Sequence, residues 1–157
     1  MTYLQTLLCA CVAAYGFHVV EEFVFDWQSW ARQVLHLPAR WDDFYVTNCL
    51  VIVIGAVAVA IAPVWPGIAL GFPGLMLING AFMHVLPFVL GRGRFSPGLI
   101  TSVLLFFPLG VATMKAVAFN PTVLMTAFGV GAVLLATPIG FIVLKHKVPY
   151  FDQPHLS

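Results

Sequence analysis

The chain has 157 residues, of which 61% are hydrophobic and 8% charged, with a mean hydropathy of +0.99 and a formal net charge of +1. Seven Lys and Arg with six Asp and Glu cannot dress a water-facing globule of this length, so the composition is that of an integral membrane protein. No basic run provides the electrostatic footprint of nucleic-acid binding, which excludes nucleic acid and leaves the lipid bilayer as the partner.

A spanning helix needs about 20 apolar residues, and five stretches qualify: 2–25, 43–62, 67–90, 98–119 and 122–144. Short loops join them, so the expected fold is all-α, one transmembrane bundle over residues 1–157 ending in a tail at 145–157. Span one begins Met1-Thr2-Tyr3-Leu4-Gln5 without the basic start of a cleaved signal, which predicts that this helix is retained. Cys9, Cys11 and Cys49 all lie in apolar stretches and read as small hydrophobes, with no paired framework.

Span one also carries His18, Glu21 and Glu22. A charge at the centre of a spanning helix costs roughly 2.5 to 3.5 kcal/mol, so such groups face a bundle interior and pair with something. At about 3.6 residues per turn the two glutamates flank the axial line through His18, and both carboxylates can reach toward one imidazole face. A packing role needs one acid here and not two, which favours a functional site.

Beyond it, Trp27, Trp30, Ala31, Val34 and Leu37 fall at helical spacing opposite Gln28, Arg32, Gln33 and His36. Residues 26–37 are therefore expected to form an amphipathic interfacial helix lying across one mouth of the bundle, with Trp41 and Tyr45 continuing an aromatic belt. Asp42 and Asp43 read as an N-cap and first-turn acid for span two, and Asn48 lies about one turn inside it. Pro63 and Pro66 bracket a turn.

In span three, Asn79 and His84 are five residues apart, about 140° around an α-helix, and share a face only if the backbone is distorted. Pro87 offers that distortion beside His84. Arg92 and Arg94 follow as charged anchors, Arg94 being a candidate neighbour of the site. Ser96-Pro97 and Asn120-Pro121 each read as an N-cap followed by the first helical residue. Thr101 and Ser102 open span four, while Thr137 precedes Pro138 in span five. Ala132, Ala136 and Gly140 recur every four residues and suit close helix contact, within the bundle or in a homodimer.

Arg32, Arg40, Arg92, Arg94, Lys145 and Lys147 all fall on one side of the five spans, opposed by Lys115 alone. The positive-inside rule then predicts an inner or plasma membrane protein with its N-terminus outside and its C-terminus cytoplasmic. In that frame His18, Glu21, Glu22, Asn48, Asn79, His84 and Thr101 collect in the cytoplasmic half, as a one-sided pocket would collect them.

His18-Val-Val-Glu21-Glu22 resembles the defining motif of the HXXEE family of small polytopic membrane proteins. The resemblance extends through Asn79-Gly-Ala-Phe-Met-His84 and Arg94-Phe-Ser-Pro97-Gly98 into the stretch ending Pro108-Leu-Gly110. It implies a small helical membrane fold with these polar positions as its signature, and it carries no activity.

Three functions fit these residues. In the first, His18, Glu21, Glu22 and His84 hold zinc, manganese or iron in an enzyme acting on a lipid-like or other small apolar substrate, with Asn48, Asn79 and Arg94 around them. Without a metal, Glu21 or Glu22 beside His18 would act as the catalytic acid or base. A di-iron site wants four carboxylates and a zincin protease wants His-Glu-x-x-His, and the chain offers neither. The second function is a proton- or ion-coupled carrier, against which no inverted repeat is evident. The third is a noncatalytic adaptor whose polar cluster fixes helix packing.

Overall fold

The computed structural model describes residues 1–117 and 120–147, the last two in backbone alone. All the described residues that form regular structure are helical. The expected tail beyond Lys147 lies outside them.

Helix α1 spans Tyr3–Val24 and opens on a capping box, in which the Thr2 hydroxyl accepts from Gln5 N and the Gln5 side chain accepts from Thr2 N. Its buried face runs Leu8, Cys11, Tyr15, His18 and Glu22, steps of three and four that form one stripe. Asp26, at φ 54°, ends this run and caps α2, Trp27–Val34, by accepting from Ser29 N. Helix α2 stops short of Leu37 because His36 turns to φ 54° and Pro38 follows.

Helix α3 covers Trp41–Ile61 and α4 covers Pro66–Leu90, while α5 is the shorter Leu99–Lys115 and α6 runs Pro121–Lys147. Helices α1, α3 and α4, with α6 up to Lys145, are long and apolar enough to cross a membrane. The shorter α5 completes the bundle, and the expected end of its span at Phe119 lies outside the described residues. Phe17, Val20, Val57 and Val133 point outward, as side chains bathed in hydrocarbon do.

The starts of α3 and α5 differ from expectation. Arg40, not Asp42, is the N-cap of α3, and Asp43 accepts from its backbone N–H at 3.1 Å. Helix α5 begins after Gly98 at φ 93° instead of at Pro97, which frees Ser96 to turn inward. At α6 Asn120 does cap, accepting from Thr122 N at 2.9 Å.

Two stretches are π-helical, Gly80–Val85 in α4 and Ser102–Phe106 in α5. Each closes with a bond to the residue five back, Leu86 N–H to Ala81 O and Phe107 N–H to Ser102 O. Pro87 and Pro108 stand immediately after these closing residues. A proline has no N–H to give the carbonyl four residues earlier, so the wider register leaves no further donor wasted. The two π stretches pack against each other at the centre of the bundle.

Helix α4 packs most closely on α6. A Cβ at Gly131 would stand 2.5 Å from Leu75 N, and one at Gly74 would stand 2.6 Å from Ala127 O, so the small residues used for contact are these. The Ala132, Ala136 and Gly140 stripe is exposed on the outer face, so bundle packing does not explain it.

Candidate intramembrane metal centre

His18 is fully buried, and both its nitrogens are engaged. The Thr101 hydroxyl donates its only hydrogen to Glu21 Oε2 at 2.6 Å, so its oxygen accepts from His18 Nδ1, 2.8 Å away. The proton therefore sits on Nδ1 and the lone pair on Nε2. That lone pair accepts from Asn79 Nδ2 at 3.3 Å and faces Glu22 Oε1 at 3.5 Å.

His84 reaches the same place from α4. In an α-helical register it would point away from Asn79, whereas the π stretch makes five residues close to one turn. Its Nδ1 meets the buried Ser96 hydroxyl at 3.2 Å. Its Nε2 is buried without a hydrogen-bond partner and lies 3.6 Å from Glu22 Oε1. The two imidazoles meet edge to face with centroids 4.8 Å apart, Phe106 lies against His18, and the Trp30 ring stacks over His84.

One ligand atom each from His18, Glu22 and His84 thus lies within 4.8 Å of the others, all three residues buried. In a tetrahedral site with bonds of ~2.1 Å the ligand atoms stand roughly 3.4 Å apart. The separations of Glu22 Oε1 from the histidines, 3.5 and 3.6 Å, match that spacing and are too long for good hydrogen bonds, whereas the group as a whole spans 4.8 Å and would have to draw its two imidazoles closer around an ion. An orphaned buried nitrogen is costly, and an ion among these three atoms would satisfy it.

Glu21 does different work. Its carboxylate accepts from Gly98 N at 3.1 Å, Ile100 N at 3.0 Å, Thr101 N at 2.7 Å and the Thr101 hydroxyl. It caps α5, whose first N–H groups have no partner within the helix. The structure does not bring Glu21 to the ligand cluster. Asn79 touches His18, whereas Asn48 sits one step removed, accepting from the Tyr15 hydroxyl at 2.7 Å. Arg94 is not beside the cluster and donates to Gln33 Oε1 on α2 at 3.3 Å.

Gly98 completes the enclosure. A Cβ there would lie 2.6 Å from both His18 Cε1 and His84 Cε1. Neither Gly98 nor Ser96 stood out as a site residue in the sequence, because each read as part of an ordinary helix start.

A family model described as a protein of unknown function with HXXEE motif matches residues 9–113, which include every member of this cluster. The chain belongs to the HXXEE family. No curated protein and no solved structure matches it significantly. The family's His-x-x-Glu-Glu therefore divides here into one pair in the buried cluster, His18 and Glu22, and one helix cap, Glu21.

Proposed function

We propose that this HXXEE protein is an intramembrane enzyme in which His18, Glu22 and His84 hold a divalent transition metal, zinc, manganese or iron, and act on a lipid-like substrate. The observation that carries the reading is the buried Nε2 of His84, without a hydrogen-bond partner and 3.6 Å from Glu22 Oε1. Two imidazoles and a carboxylate are the donor set of catalytic zinc sites, whereas structural sites take four protein ligands, and an ion held there would act as a Lewis acid.

The chain's own groups do the rest. Glu21 and Thr101 hold the His18 proton on Nδ1, so that Nε2 is always the ligand nitrogen. Ser96 orients His84, and the Trp30 ring covers it. Both imidazoles are wholly buried, away from bulk water. In the orientation that the Lys and Arg distribution favours, this cluster lies toward the cytoplasmic face; a cysteine placed after Ser157 should be labelled only from that side, and labelling from outside would reverse the assignment.

The test of the site is elemental analysis of detergent-purified protein. About one transition metal per chain is expected in the wild type, with loss in folded His84→Ala. Wild type purified without chelator and free of metal would refute the reading.

A further inference from the structure

Helices α3 and α6 make no extended packing contact, and between them lies an apolar crevice of about 370 Å³. Its walls come from these two helices alone, with Leu50, Val51 and Ile54 facing Leu134, Phe141 and Ile142. A smaller cavity of about 90 Å³ adjoins it and reaches Glu22, Tyr15, Asn48 and Asn79. Asp43, Thr47, Val51, Leu134, Pro138 and Ile142 line both, so the crevice abuts a cavity that touches Glu22.

The polar end of this route is closed. Lys145 of α6 straps the crevice to α3 by donating to Asp42 at 2.8 Å and Asp43 at 3.0 Å, and Arg40 balances the pair with a contact to Asp42 at 3.2 Å. Over the inner cavity, Trp27, Leu35 and Leu37 form an apolar roof. The remaining opening faces sideways, between two helices that have the length and composition to cross a membrane. An occupant from the hydrocarbon phase fits, and one from water does not.

We propose that the α3/α6 crevice is a lateral portal that seats the hydrocarbon chain of a single-chain amphiphile and delivers a small polar end to Glu22. This deepens the metal-site reading and takes that site as its destination. The inner cavity sets the class of head group: at about 90 Å³ against about 370 Å³ for the crevice, it favours a carboxylate or hydroxyl over a phospholipid head group. The balanced charges at the strap select no head-group charge, so the chain and the size of the polar end make the selection.

The probe is palmitate with a diazirine on its chain, irradiated with the full-length protein in phosphatidylcholine vesicles and mapped by peptide mass spectrometry. Label should concentrate on Val51, Ile54 and Leu134, several-fold above the outward-facing Phe17, Val57 and Val133, and excess palmitate should compete it away. A Val51→Trp/Leu134→Trp double variant should lose that label while keeping the outward background. Even, non-competable labelling of wild type would overturn the portal whether or not the variant folds, as would preferred labelling by a diazirine phosphatidylcholine. Metal content of the same preparations keeps the two ideas apart. Metal present with even labelling sinks the portal alone, and competable crevice labelling of metal-free protein sinks the metal reading and leaves the portal.

Discussion

Glu21 holds Thr101 twice, accepting from its backbone N–H at 2.7 Å and from its hydroxyl at 2.6 Å, and so ties the motif helix α1 to the first turn of α5. The neighbouring Glu22 makes neither contact and faces the two histidines. Two adjacent carboxylates in one motif therefore carry separable roles. In Glu21→Gln a side-chain NH2 replaces an acceptor oxygen among four donors, which should cost about 3 kcal/mol and lower the unfolding temperature in detergent. Glu22→Gln removes a buried charge and keeps the shape, so its stability should be unchanged or higher while metal and activity are lost. Thermal unfolding and metal content of the two variants, measured side by side, check this. Equal destabilisation by both would refute the division.

Thr101 fixes which nitrogen of His18 carries the proton. Thr101→Ser keeps the hydroxyl and should behave as wild type, whereas Thr101→Val leaves Nδ1 without its acceptor and the tautomer unfixed. Loss of such an orienting partner weakens metal binding by roughly 10- to 100-fold. A competition titration with a chelator reads this directly, and equal affinity in Val and Ser variants would show that the hydroxyl does not act through His18.

Gly98→Ala tests the enclosure without touching any ligand. The residue has φ 93°, unfavourable for any side chain, and its Cβ would press on both imidazoles. A destabilisation of about 1 to 3 kcal/mol is expected, together with reduced metal occupancy in whatever folds. Unfolding midpoints and metal per folded chain are the measurements, and a neutral result would mean that the rings have room to move.

The hydropathy pattern sufficed for the helical bundle, since apolar runs of spanning length and proline punctuation are local properties. The i, i+4 pair His18 and Glu22 was legible for the same reason, helix geometry alone placing them on one face. The roles that depend on a distant helix were not. Glu21 could be sorted from Glu22 only by knowing that α5 begins against α1, and Ser96 and Gly98 became site residues because α5 starts later than Ser96-Pro97 suggested. Asp42 and Asp43 looked like caps, yet their side chains also hold Lys145, 103 and 102 residues away. Arg94 had the right depth but points to α2.

Pro87 links backbone register to chemistry, and its replacement supplies the sharpest separation of stability from function. It stands just after a π stretch that brings His84 round to His18 and Asn79. In Pro87→Ala an N–H returns opposite the Met83 carbonyl, and the i to i+4 ladder becomes able to close through this segment. Closing it removes one residue from the turn and rotates His84 about 100° relative to Asn79. The expected variant folds as well as wild type or better, since a helical proline has been replaced by the best helix former, yet binds metal at least roughly 10-fold more weakly, in line with the loss of an orienting element. Metal affinity and unfolding temperature of Pro87→Ala should therefore move in opposite directions. Unchanged affinity would show that packing against the π stretch of α5, rather than the missing N–H of Pro87, holds His84 in place.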